Sequence, residues 1–169
     1  MKKMVLVLVA LVAMTAMASA EGYEKGKTIV GPLLGINWYN FAIGAQGEYG
    51  FHENISGGGL FSYSSESYET WGFEDYKVTY IAFGAQANYH FKPGQKFDPF
   101  AGVVLGYEVA SVDWPAAYDA YWAYIGEPTY GGAFFGGNLG CNYDLSPTML
   151  GRAQIGYPYY IAVGVSFKF

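Results

Sequence analysis

The strictest constraint on this chain is the alternation in "YIAVGVSFKF", residues 160–169. Ile161, Val163, Val165, Phe167 and Phe169 share one parity, continued upstream to Tyr159, while Tyr160, Ala162, Gly164, Ser166 and Lys168 share the other. A period of two is the signature of a strand with one apolar face. The same grammar recurs in "FAIGAQGEYGF" (41–51), where Phe41, Ile43, Ala45, Gly47, Tyr49 and Phe51 oppose Gly44, Gln46 and Glu48. It recurs in "IAFGAQANYHF" (81–91), where Ile81, Phe83, Ala85, Ala87, Tyr89 and Phe91 oppose Gly84, Gln86, Asn88 and His90. These two segments form an internal repeat, and "NLGCNYDL" (138–145) is a looser third copy.

After residue 20 no apolar run approaches the ~18–20 residues of a spanning helix. Yet 52% of the residues are apolar, 20% aromatic and only 14% charged, with 24 glycines. So much apolar matter at short period predicts an all-β fold. Turn-forming residues punctuate it at "HEN" (52–54), "KPGQK" (92–96) and "DLSPT" (144–148). Eight strands are expected near 28–37, 40–51, 55–65, 76–91, 98–111, 131–143, 148–157 and 159–169. Three connections are short at one end, and those at 66–75 and 112–130 are long at the other.

The first twenty residues combine Lys2 and Lys3, an apolar run from Met4, and Ala18-Ser19-Ala20. This pattern predicts a secretory signal peptide over 1–20, cleaved after Ala20, and one domain over 21–169. Without Lys2 and Lys3, seven basic residues face fourteen acidic ones, which excludes nucleic-acid binding through the field of the protein. The single cysteine, Cys141, excludes an internal disulfide and falls on the apolar face by parity.

Two architectures accommodate eight antiparallel strands in an exported protein. A soluble lipocalin-like barrel turns its apolar face inward around a ligand, whereas a membrane barrel turns it outward to lipid. Aromatic residues at the strand ends favour the second, because a lipid-facing band is flanked by aromatic girdles. Tyr49, Phe51, Tyr89, Phe91, Tyr143, Phe167 and Phe169 all cluster at the short-turn end.

With eight alternating strands, short turns at one end, long loops at the other and a terminal phenylalanine, the chain resembles the small outer-membrane barrels of the OmpX and OmpA transmembrane-domain type. The resemblance covers essentially all of 21–169. It implies an eight-stranded antiparallel up-and-down transmembrane β-barrel in the outer membrane of a diderm bacterium. It also implies a last strand read by the outer-membrane insertion machinery, with Gly164, Phe167 and Phe169 matching that signal and Ala162 departing from its usual polar residue. Outer-membrane lipids and lipopolysaccharide are the further partners it implies, for a monomer.

In this register the narrow interior receives Gln46, Glu48, Gln86, Asn88, Glu108, Asn138, Asn142, Arg152, Gln154 and Lys168. Arg152 is the sole arginine, and an unpaired charge in such a lumen is very costly. Counted from the short-turn end, Glu48 lies at its height and Glu108 nearer the long loops. An Arg152–Glu48 contact supported by Asn88 and Gln154 is therefore expected, as a structural plug or, alternatively, as the gate of a small pore.

An enzyme acting on lipid needs a nucleophile and a base near the outer rim. His52 and His90 both fall at the short-turn end, and no His-x-Ser arrangement occurs. No catalysis, cofactor or metal site is expected. The long loops hold Trp71, Trp114, Tyr118 and Trp122 among acidic residues, a combination suited to a protein or glycan contact surface and equally to packing at the membrane interface. The function expected is a structural or surface-interaction role, with a small pore and then a soluble binding barrel as alternatives.

Overall fold

A computed structural model describes residues 23–37, 40–68, 76–114 and 129–169. Its eight strands are β1 (Thr28–Ile36), β2 (Phe41–Gly50), β3 (Ile55–Tyr68), β4 (Tyr76–His90), β5 (Phe97–Asp113), β6 (Thr129–Ser146), β7 (Met149–Gly156) and β8 (Ile161–Lys168). Each pairs antiparallel with the next, and β8 closes on β1 from Ile29↔Lys168 to Ile36↔Ile161. Closure leaves no sheet edge along the ring, the condition for strands to cross hydrocarbon. Pro32 stands within β1, where the ladder to β8 skips Gly31 and Pro32 and then resumes in the same register.

The short connections are 51–54, 91–96 and 147–148. Gly94 has a φ of 72°, a left-handed conformation that favours glycine and lets the 91–96 turn close. At the opposite end β3 to β6 run 14, 15, 17 and 18 residues, while β1, β2, β7 and β8 run only 8 to 10. The wall is therefore tall on one side. Much of what the sequence suggested as loop is strand: Glu66 lies in β3, Asp113 in β5 and Tyr130 in β6. Cross-strand pairs such as Glu66↔Val78 and Lys77↔Asp113 carry the ladders past the expected loop starts.

Burial follows the alternation. Inward positions hold Gln46, Glu48, Gln86, Asn88, Asn138, Asn142, Arg152 and Gln154, all buried. Outward positions hold Leu34, Ile43, Phe83, Val103, Leu105, Leu139, Ile155 and Val163, all exposed. Aromatics ring the short-turn end through Tyr49, Phe51, Tyr89, Phe91, Phe97, Tyr143, Phe167 and Phe169, and flank the other end through Phe41, Phe83, Tyr107 and Tyr160. A continuous apolar exterior around a polar interior overturns the lipocalin-like alternative, because water would face the whole apolar belt.

One local parity is reversed. Tyr159 is 1% exposed and points inward, whereas Tyr160 is 55% exposed. The chain leaves the ladder between Gly156 and Ile161, so strand alternation does not extend to Tyr159. The Tyr159 hydroxyl donates to the Phe61 carbonyl at 2.8 Å, and its ring packs with Leu33, Ala42 and Ala162.

Candidate functional site in the lumen

Strands β2, β3, β4, β5 and β7 converge their inward side chains in the half of the lumen nearest the short turns. Glu48 and Arg152 are 2% and 3% exposed, and the guanidinium Nη1 donates to Glu48 Oε1. Arg152 Nε donates to Gln154 Oε1 at 2.8 Å. Gln46, with its amide oxygen toward the guanidinium, accepts from Nη1 at 3.0 Å and from Nε at 2.9 Å. The guanidinium carbon also lies 4.0 Å from the centre of the Phe100 ring, a cation–π contact.

The second oxygen of Glu48 accepts from Ser56 Oγ at 2.5 Å and from Asn88 Nδ2 at 2.9 Å. His90 extends the chain of contacts: its Nε2 is 3.1 Å from Ser56 Oγ and its Nδ1 is 2.5 Å from Asp98 Oδ2. A carboxylate only accepts, so Nδ1 carries a proton. Ser56 gives its single hydrogen to Glu48, so Nε2 donates to Ser56 Oγ and carries one too. The result is an alternating row, Arg152, Glu48, His90, Asp98, in which every charge faces an opposite one. Lys168 and Asp144 form a second buried pair at 3.2 Å.

Ser56, His90 and Asp98 thus share the connectivity of a hydrolytic triad, which the sequence reading did not foresee. Their chemistry here differs. All three are buried at 0% exposure, and the serine proton is committed to Glu48 instead of the imidazole. A nucleophile needs its base to take that proton. Each buried charge in the arrangement stands against an opposite one.

Tyr23 closes this end. Its ring stacks on His90 with centroids 3.7 Å apart and an interplanar angle of 5°, and it packs with Ile29 and Leu150. The hydroxyl lies 2.7 Å from the carbonyls of both His52 and Ile55, and the Tyr23 carbonyl accepts from Gly94 N at 2.9 Å. Burial, with the nearby Glu48 and Asp98 charges adding to it, pushes the phenol up to about 12. The segment entering β1 is therefore a stopper as well as a connection.

Residues 6–169 match the outer membrane protein beta-barrel domain. The chain belongs to that outer-membrane barrel family. Comparison with curated protein sequences finds no significant match. Among solved structures, this outer-membrane barrel is similar to the N-terminal β-barrel domain of Pseudomonas aeruginosa OprF, at 13% identity and a TM-score of 0.64, covering 86% of this chain and 98% of that one. It is similar to OprG of the same organism at 12% identity and TM-score 0.64, covering 89% and 99%. It is also similar to Ail, the attachment invasion locus protein of Yersinia pestis, at 12% identity and TM-score 0.55, covering 86% and 99%.

The barrel brings Glu48, Arg152, Gln46, Asn88 and Gln154 into one cluster. Gln86 lies inward beyond Asn88 on β4, and Glu108 lies farther out, where its Oε2 accepts from Tyr157 at 2.8 Å. Gly164, Phe167 and Phe169 lie in and just beyond β8, with both aromatic side chains outward. Trp114 follows β5, half-buried and stacked on Tyr76 at 5.3 Å. Trp71, Tyr118 and Trp122 lie outside the described residues. Sequence reasoning left out Tyr23, Ser56, Asp98 and Asp144. Asp98 has inward parity beside His90 in the neighbouring strand, a signal that could have found it.

Proposed function

We propose that this outer-membrane barrel is a closed, non-enzymatic scaffold whose work is done at its outer end, as a structural or surface-interaction protein. The observation that carries this reading is the filled lumen: the row from Arg152 to Asp98 occupies it, and Tyr23 covers it from the short-turn side. A plug held by paired buried charges resists opening, because each charge removed leaves its partner unpaired. The tall strands β3 to β6 extend past their neighbours at the outer end, and Trp71, Trp114, Tyr118 and Trp122 are the proposed contacts. The fold is shared with Ail, whose name describes attachment, and with a Yersinia pestis Ail complex holding the heparin analogue sucrose octasulfate, at 12% identity and TM-score 0.56.

In this reading residues 1–20 are removed near Ala20, and the monomer sits in the outer membrane of a diderm bacterium among lipids and lipopolysaccharide. The insertion machinery reads Gly164, Phe167 and Phe169. The test is conductance of purified protein in planar bilayers, with surface binding of cells carrying shortened 69–75 and 115–128 segments. A silent bilayer and lost binding support the scaffold; steady channels overturn it.

A narrow pore is the second reading. Gln86, Asn138 and Asn142 favour it, since their side-chain polar atoms have no protein partner among the described residues, and buried amides of this kind are satisfied by water.

A further inference from the structure

At the outer end a cavity of about 350 Å³ lies between β4, β5, β6 and the β7–β8 connection. Tyr80, Phe134 and Tyr157 line it, with Tyr130, 65% exposed, at its rim and Glu108 as its one carboxylate. The Phe134 and Tyr157 rings meet at 4.4 Å and 50°, and Tyr157 O–H holds Glu108 Oε2 at 2.8 Å. Space for the cavity comes from the small cross-strand neighbours of Glu108, namely Ala82 on β4 and Gly132 on β6. A Cβ at Gly132 would meet nothing within 4 Å.

No Lys or Arg pairs with Glu108 among the described residues. The sequence explains why. Strand ends and connections over 66–77 and 108–130 carry eight acidic residues (Glu66, Glu69, Glu74, Asp75, Glu108, Asp113, Asp119, Glu127) and a single cation, Lys77. Lys77 has outward parity on β4, opposite to that of Tyr80. Among the described residues, this end of β3 to β5 carries Glu66, Glu108 and Asp113 against the one cation Lys77, a negative balance that favours cations.

We propose that this vestibule binds an organic ammonium ion, with Glu108 as counter-ion, the Tyr80, Phe134 and Tyr157 rings as its walls and Tyr130 at its rim. A single carboxylate cannot replace the six or more oxygens that a hard divalent cation requires. Aromatic faces suit a weakly hydrated alkylammonium, which keeps its charge while burying its methyl or methylene groups. The volume lies at the small end of ligand pockets, matching a trimethylammonium group or a short alkylamine. Glu108, Tyr80, Tyr130 and Phe134 sit at inward positions of their strands, so the cavity is reached from the external aqueous side. Its ligand is a free solute, distinct from the headgroup of a surrounding lipid.

The experiment uses the folded barrel in an uncharged glucoside detergent, with tetramethylammonium as probe and uncharged tert-butanol, of similar size and shape, as control, read by saturation-transfer NMR. Saturable binding of the cation is expected, at least about tenfold tighter than the alcohol and weakened by salt. Glu108→Gln should weaken it about tenfold, and Gly132→Val should block it by filling the cavity while leaving the charge in place. Equal binding of alcohol and cation, no saturation, or unchanged binding in the heat-modifiable Glu108→Gln barrel would each overturn the proposal. Should Glu108→Gln fail to fold, the cation-against-alcohol comparison in the unaltered protein and the Gly132→Val variant decide it. Loss of tetramethylammonium binding when the barrel is moved from detergent into phosphatidylcholine vesicles would assign the site to a lipid headgroup and overturn the free-solute assignment.

Discussion

Arg152 and Glu48 are 104 residues apart in sequence and join β7 to β2 across the lumen, both almost wholly excluded from solvent. Their pairing ties two strands separated by β8 and β1 in a barrel whose backbone ladders run only between neighbours. Arg152→Ala leaves Glu48 without its guanidinium and should destabilise the barrel by about 3–5 kcal/mol, whereas Arg152→Met with Glu48→Met should recover most of that loss. Urea unfolding midpoints of the two variants in lipid vesicles decide it, and equal midpoints for Arg152→Ala and the parent would remove the role assigned to the pair.

Tyr23 tests the stopper. Its folded phenol titrates near 12, above its ordinary value of 10.0, so its contribution is complete below pH 10 and is lost as pH rises toward 12. Tyr23→Phe keeps the ring on His90 but removes the titrating hydroxyl. Its stability should therefore fall less steeply than the parent's between about pH 10 and 12. Parallel curves for the two proteins would show that the buried hydroxyl is not held as described.

Val163 faces outward near the middle of β8 and is 53% exposed. An arginine there enters hydrocarbon, so Val163→Arg should destabilise the vesicle-embedded barrel by about 2–4 kcal/mol, and the same change at Phe169, beyond the strand end, by about 0–1. A reversed order would contradict the membrane depth that the aromatic girdles define.

Gly102 lies where Asn88 and Asn138 approach from the neighbouring strands. A Cβ there would overlap Asn88 Oδ1 and Asn138 Oδ1 and stand 2.6 Å from the Ala87 carbonyl oxygen. The amides can turn away but the carbonyl cannot, so Gly102→Ala should lower stability by about 1–3 kcal/mol. Gly132→Ala, at a position where an added Cβ meets nothing within 4 Å, should be near neutral, and the contrast is read in the same urea assay.

Phe169 separates sorting from stability. Its backbone exchanges hydrogen bonds with Thr28 at 2.9 and 3.1 Å, contacts that a change of side chain leaves in place. Phe169→Ser should reduce heat-modifiable protein in the outer membrane several-fold while the purified chain refolds in detergent as the parent does. Equal loss in both assays would assign Phe169 to stability alone.

The alternation by itself determined that Gln46, Glu48, Asn88, Arg152 and Gln154 share one side of the sheet and Ile43, Phe83 and Val163 the other, because a strand places successive side chains on opposite faces. Turn residues fixed the short end for a similar local reason. Tertiary structure decided what depends on height and closure. It set which inward residues meet across the lumen, so His90 and Asp98 became a continuation of the Arg152–Glu48 pair only once β4 and β5 curved round, with β3 between, to face the same lumen as β2. It also decided Tyr23, which lies outside every strand and carries no periodic signal, and Tyr159, whose direction reverses where the ladder ends. Local periodicity specifies a face; only the closed ring specifies which faces touch.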